Sequence, residues 1–187
     1  MTLRPLWAAV ADIDAAKWCR WLNDPLVRRY LESRGRWTPA RLHDWLVGHR
    51  ATLGTRLYAI CLDGRPVGTL KLEGVARGNW ASLGLMIGQR SAWGHGVGTA
   101  AIRRGCGVAK RRGCVGVWAG MRASNQASRL AFTHAGFREV ARYGFSAQET
   151  FGARQDVLDM DTPKVIRRVV FAWPARPPRI AFLRRFR

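Results

Sequence analysis

Acidic side chains are scarce in this sequence: 12 Asp and Glu stand against 32 Lys and Arg, and none follows Asp161. The segment after it holds Lys164, Arg167, Arg168, Arg176, Arg179, Arg184, Arg185 and Arg187, leaving 24 basic against 12 acidic residues before it. Both parts therefore favour anionic partners: nucleotides, phosphorylated cofactors, nucleic acid or acidic proteins. Arginine-rich codon usage is an equal origin for the charge of the tail. Cysteine is also sparse. Cys19, Cys61, Cys106 and Cys114 form no C-x-x-C pair and have no His at zinc-ligand spacing, so reduced thiols and no metal site are expected. No apolar run reaches the length of a membrane span, and MTLRPLWAAV lacks the pattern of a secretory signal, which makes a cytoplasmic location the expectation.

What is present is enough for a core. The 187 residues are 48% hydrophobic with nine Trp, consistent with one domain and a tail. Residues 3–7 suit a short strand. Ala15, Trp18 and Leu22 fall at helical spacing over 13–22, Pro25 suits the first turn of a second short helix, and Thr38-Pro39 opens another. Asp63-Gly64 joins two β-rich runs as a hairpin, and NWASLGLMIG is a third run in which Gly84 suggests a bulge or a close backbone approach. A helix over 97–111, the strand CVGVWAG, the helix NQASRLAFTHAG and the strands FREVARYGF and ARQDVLDMD follow. The order β-α-α-β-β-β-α-β-α-β-β is that of an α/β or α+β domain.

Glycines at 94, 96 and 98 stand where a helix should start. Ordering them is costly, so the backbone there turns tightly, is approached closely, or both. A P-loop would need a Lys after these glycines, and none follows. A dinucleotide fingerprint is matched by Gly96, Gly98 and Ala101. It also asks for an acidic residue after the next strand, yet no Asp or Glu lies between Gln89 and Glu139; Arg122 is the one candidate for a 2′-phosphate. That fold normally begins with this unit, whereas here a hairpin precedes it.

WGHGVG, residues 93–98, resembles the acyl-CoA loop of the GNAT superfamily of N-acetyltransferases, with Gly96 and Gly98 on its two glycine positions and Trp93 in place of the commoner Gln or Arg. NQASRLAFTHAGF resembles that family's late helix through Asn125, Ser128, Phe132, Gly136 and Phe137, and QDVLDM its closing strand. The likeness, spanning about residues 3–161, is to the branch with ribosomal-protein N-terminal and amino-sugar acetyltransferases. It implies a mixed, mostly antiparallel central sheet flanked by helices, and acetyl-CoA as cosubstrate. It also implies a domain over 1–161 followed by a basic, Pro-containing extension over 162–187. Gly94, His95, Gly96, Val97, Gly98 and Thr99 would offer backbone N–H groups to the CoA pyrophosphate at a helix N-terminus. Met86 and Ile87 would offer a main-chain N–H to the thioester carbonyl, and Asn125 would bond the pantetheine arm or simply cap its helix.

The likeness fails where the family often keeps a general acid and a general base. Phe132 stands where a Tyr would protonate the thiolate, and Ser82 where a Glu would manage the amine proton. Glu73 is then the best carboxylate and His134 a substitute acid, with a solvated strand end and an exposed helical His as the plain alternatives.

WLNDPLVRRYLE resembles a segment of GNAT members that acetylate nucleotide-linked amino sugars. Asn23, Asp24, Tyr30 and Glu32 would wall the acceptor cleft, and Arg28 or Arg29 would meet a diphosphate. Asn23-Asp24-Pro25 is equally a helix stop and start, and Arg28-Arg29 a solvated face. Protein N-termini, ribosomal proteins and antibiotics remain open as acceptors. A catalytically weak CoA-binding or nucleic-acid-binding module is the reading from another class. A monomer or a homodimer is expected. The tail reads as an extension past the domain, an electrostatic arm or a membrane-surface anchor, with 165–173 apolar enough for a short strand or helix.

Overall fold

The computed structural model describes residues 1–6, 15–31, 33, 35–146 and 165–174. The chain opens with β1 (Thr2–Pro5) and three helices, α1 (Ala15–Asn23), α2 (Pro25–Arg28) and α3 (Pro39–Ala51). Asp24 caps α2 by accepting from Leu26 N–H at 2.8 Å, and Thr38 caps α3, each with Pro in the first turn. Then come β2 (Arg56–Leu62), β3 (Arg65–Glu73), β4 (Trp80–Ile87), α4 (Val97–Arg111), β5 (Gly116–Arg122), α5 (Gln126–His134), β6 (Arg138–Ser146) and β7 (Val165–Trp173). All three helices read between β1 and β2 are present, where the order written from the sequence counts two.

The strands form one seven-stranded sheet in the order β1-β2-β3-β4-β5-β7-β6, antiparallel at every junction except β4–β5. Asp63 and Gly64 turn the β2–β3 hairpin with φ of 46° and 76°, the two positive values a tight two-residue turn requires. Gly84 forms no bulge against β3: pairing runs without a shift from Gly68↔Ile87 to Glu73↔Ser82, and a Cβ at Gly84 would meet nothing within 4 Å.

Helices cover both faces. On one, α4 and α5 bury Ile102, Cys106, Ala109 and Phe132 against Leu70, Leu72, Leu83, Val117 and Val169. Gly105 lets α4 lie close, since a Cβ there would stand 2.9 Å from Leu83 Cδ1. On the other face, Trp18, Trp21, Trp37, Leu42 and Leu46, from the α1–α3 region, pack on Leu57, Ala59, Cys61 and Met86.

The expectation that the domain closes near Asp161 meets a contrary finding. β7 is an interior strand between β5 and β6, and Val169, Val170 and Ala172 are each 0% exposed. An apolar run paired on both sides and covered on both faces is what an interior strand looks like. Its flanking prolines and charges mask that pattern in the sequence. The expected strand at QDVLDM and residues 175–187 lie outside the described residues.

Candidate active site

β4 and β5 pair over three residues only, Trp80↔Gly116, Ala81↔Val117 and Ser82↔Trp118. Beyond them the strands part, and a cleft of about 470 Å³ opens, lined by Leu83, Gly84, Leu85 and Met86 on one side and Ala119, Gly120, Met121 and Arg122 on the other. Alternate peptide groups of a strand point to opposite neighbours, so past Ser82 the β5-facing amides of β4 turn into the gap. Met86 lines the cleft; Ile87 does not, but its carbonyl accepts from Trp93 Nε1 at 2.8 Å.

That bond ties the end of β4 to the glycine turn. Gly94 and Gly96 have φ of 77° and 71°, and a Cβ on either would meet nothing within 4 Å. The left-handed backbone, not lack of space, requires glycine at these two positions. Val97 is buried and anchors the turn, while His95 is exposed. The first helical bond of α4 runs from Ala100 N–H to Gly96 O at 3.0 Å, and no side chain caps the helix. The amides of Val97, Gly98 and Thr99 precede that ladder at the positive end of a 15-residue helix, which suits an anion. A Cβ added at Gly98 would meet Leu85 Cδ1 at 3.7 Å and Ala131 Cβ at 3.8 Å, no more than ordinary van der Waals contact.

Asn125 caps α5 by accepting from Ser128 N–H at 3.1 Å, and both residues line the cleft. Phe132 lines it too, 2% exposed and edge-on to Phe137 at 4.9 Å. A phenyl ring has no proton to give. His134 is exposed at the last position of α5, its carbonyl accepting from Arg103, and it is not part of the cleft lining.

Glu73 is in the cleft. Ser82 Oγ donates to its Oε2 at 3.3 Å, and Lys71 Nζ stands 2.9 Å from its Oε1. Lys71 also reaches His49 Nε2 at 3.3 Å. Ser82, which stands where the family often keeps a Glu, is thus bonded to Glu73, the carboxylate expected in its stead.

Of the five described residues among the six expected to meet the acceptor, the structure brings one to the cleft. Tyr30 lines it and donates from its hydroxyl to Ser124 O at 3.2 Å. Asn23 spends both ends of its amide on Trp37, and Asp24 is the cap of α2 with Arg90 Nη1 at 3.9 Å from Oδ2. Arg28 donates to Gly35 O at 3.0 Å, and the guanidinium of Arg29 lies 5.5 Å from the Tyr30 ring. Glu32 lies outside the described residues. Sequence reasoning missed Trp18, Trp37, Trp45, Trp118, Lys71 and Arg168 as lining residues. Strand alternation with Glu73 and Ser82 was the available signal for Lys71, but only the strand order brings Arg168 there.

A family model described as an acetyltransferase (GNAT) domain matches residues 1–138. No protein of curated function matches the sequence. Among solved structures, the fold is similar to spermidine N-acetyltransferase from Vibrio cholerae in complex with CoA and spermine, with a TM-score of 0.71, 13% identity, and 91% of this chain and 93% of that one covered. It is also similar to Mycobacterium smegmatis RimJ in complex with CoA-disulfide, at 0.68 and 23% identity, covering 85% and 76%. A third likeness is to ribosomal-protein-alanine N-acetyltransferase from Brucella melitensis, at 0.64 and 17% identity, covering 92% and 98%. With the family model spanning most of the chain and the parted strands leading to a glycine turn, the chain belongs to the GNAT family: it is an N-acetyltransferase, and acetyl-CoA is its cosubstrate.

Proposed function

We propose that this enzyme transfers the acetyl group directly to the primary amine of a nucleotide-linked amino sugar. The observation that carries the transfer reading is the parting of β4 and β5 between the glycine turn and a cleft lined with Trp18, Trp37 and Trp45. In this reading the amides of residues 94–99 hold the pyrophosphate, Asn125 bonds the pantetheine arm, and a main-chain N–H at Met86 or Ile87 polarises the thioester carbonyl. The amine nitrogen attacks that carbonyl carbon, the C–S bond breaks as the thiolate leaves, and the nitrogen gives its remaining excess proton to solvent. Glu73, steadied by Ser82, receives the proton that the ammonium must lose first. Phe132 leaves protonation of the thiolate to solvent. Positioning supplies much of the rate, because a neutral amine already attacks a thioester readily once the two are held together.

The sugar acceptor rests on the resemblance over residues 21–32, of which Tyr30 is the part that reaches the cleft. A peptide N-terminus is the second reading, favoured by the fold likeness to a ribosomal-protein-alanine N-acetyltransferase. The test is release of free CoA from acetyl-CoA on adding a nucleotide-linked amino sugar, the free amino sugar, peptides with free N-termini, or an aminoglycoside. Turnover of the first, ahead of the rest, is the expected result. Turnover of peptides alone would replace the acceptor. No turnover of any amine, with CoA still bound, would favour a catalytically weak CoA-binding module.

A further inference from the structure

His49 stands in the last turn of α3, on the face that Leu42, Trp45 and Leu46 turn to the sheet. Its Nδ1 lies 2.8 Å from the carbonyl oxygen of Trp45, and its Nε2 lies 3.3 Å from Lys71 Nζ. A carbonyl oxygen only accepts and a lysine ammonium only donates, so Nδ1 carries the ring hydrogen and Nε2 offers a lone pair. Its partners thus define His49 as a neutral imidazole of one tautomer. The Trp45 indole, its centroid 4.2 Å from that of the imidazole, holds the ring in place.

Lys71 passes this constraint on to the cleft. Its Nζ lies 2.9 Å from Glu73 Oε1 as well as 3.3 Å from His49, and Ser82 Oγ donates to Glu73 Oε2 at 3.3 Å. Lys71 and Glu73 are two positions apart on β3 and so share the face that lines the cleft, while Ser82 is the partner of Glu73 in register on β4. An ion pair between part-exposed neighbours on a strand is ordinary and worth little by itself. This one differs because every member has a second hold: Lys71 on His49, Glu73 on Ser82, and His49 on Trp45. Each carboxylate oxygen has two lone-pair sites, so with one partner apiece both keep one. The carboxylate is held at both ends and can still take a proton.

We propose that Lys71 and His49 are positioning residues for Glu73, holding its carboxylate in the orientation that receives the proton of the acceptor ammonium. An untethered Glu side chain turns about several bonds and spends only part of its time aimed at the amine. The chain from α3 through Lys71 fixes it before the acceptor arrives. The proton passes from the amine nitrogen to a carboxylate oxygen, and Lys71 and His49 exchange none. The last turn of α3, otherwise a cover for the sheet, thereby takes part in the reaction. This assignment rests on the reading of Glu73 as the base and deepens it by naming what aims that base.

The test is a double-mutant cycle in the full chain, with CoA release followed at saturating acetyl-CoA. The acceptor is a nucleotide-linked amino sugar, or a peptide with a free N-terminus if peptides alone turn over. His49→Phe keeps a flat ring against Trp45 and removes the acceptor for Lys71, whereas His49→Gln keeps an acceptor. His49→Phe and Lys71→Met should each lower kcat about tenfold with KM for acetyl-CoA unchanged, and His49→Gln should recover part of that loss. In the Glu73→Gln background neither substitution should lower kcat further, because residues that act through one group lose their effect with it. A second readout needs no acceptor. Nitrogen NMR of the imidazoles in weakly alkaline solution, with His49 identified by its loss in His49→Phe, should show hydrogen on Nδ1 and a lone pair on Nε2, and Lys71→Met should shift the Nε2 signal. Hydrogen on Nε2, or an Nε2 signal indifferent to Lys71→Met, would overturn the assignment. Full activity of His49→Phe and Lys71→Met, with Glu73→Gln still impaired, would overturn it and leave Glu73 as the base. An equal fall in kcat in both backgrounds would also overturn it, marking a merely structural role. Full activity of Glu73→Gln would instead reject the base, and the positioning role with it.

Discussion

Asn23 and Trp37 bond each other twice: Asn23 Nδ2 donates to Trp37 O at 2.8 Å, and Trp37 N–H donates to Asn23 Oδ1 at 2.8 Å. The pair fixes the end of α1 to the approach of α3 and seats the buried Trp37 indole in the cleft wall. Asn23→Ala should therefore cost stability of about 2 kcal/mol, two half-buried hydrogen bonds' worth, while CoA affinity is unchanged. Asp24→Ala, which removes a helix cap, should cost about 1 kcal/mol. Denaturant melts and calorimetry separate this from an effect on the acceptor. A raised KM with unaltered stability would return both residues to the substrate.

The glycine turn makes a second prediction. Gly98→Glu and Gly96→Glu should each abolish acetyl-CoA binding, since they bring a carboxylate to the N-terminus of α4, the proposed seat of the pyrophosphate. Gly96→Ala separates charge from backbone. The open space there admits a methyl group, so this variant should lose about 1 kcal/mol of stability from its left-handed φ of 71° and still bind CoA. Binding retained by the folded Glu variants would move the pyrophosphate elsewhere.

Glu73 and His134 differ in what they face, and activity should follow. Glu73→Gln should lower the rate by about tenfold to a hundredfold below the pKa of the acceptor amine, with a smaller loss above it, where the amine no longer needs a base. His134→Ala should leave the profile unchanged, its ring being exposed outside the cleft lining. A pH–rate series of both variants decides the ranking.

Cys106 supplies a pH dependence of stability. Burial against the sheet pushes its thiol from 9.0 up to about 12. The folded state then keeps the proton that the unfolded state loses above pH 9. The thiol's contribution is fully present below pH 9 and is lost as the pH rises from 9 toward 12. Cys106→Ala should flatten the alkaline fall in melting temperature over that window. At pH 8, Cys114, which is partly exposed, should be alkylated well before Cys106.

The position of β7 predicts the effect of truncation. A chain ended at Thr162 loses the strand between β5 and β6, with the fully buried Val169, Val170 and Ala172, and should not fold. A chain ended at Pro174 keeps every described strand and should melt cooperatively. Circular dichroism and gel filtration of the two would decide it.

Signals that act within a few residues could be read directly. Asp63-Gly64 announces its hairpin, Thr38-Pro39 its helix start, and the alternating glycines before residue 97 their tight turn, because each is set by local φ or by the first turn of a helix. Two such signals at the right separation were enough to point to the family and to acetyl-CoA. What the acceptor meets is another matter. Asn23 and Asp24 look like an acceptor pair along the chain. Asp24 is a cap, bonded to the amide two residues on, as the helix-start signal at Asp24-Pro25 allowed, whereas Asn23 is a brace because its partner, Trp37, is chosen by how α1 and α3 meet. Arg122 and Arg168 stand 46 positions apart and become neighbours only when β7 enters the sheet beside β5. Strand order is settled by which apolar faces can be buried together. That competition runs over the whole chain, and no window of sequence contains it.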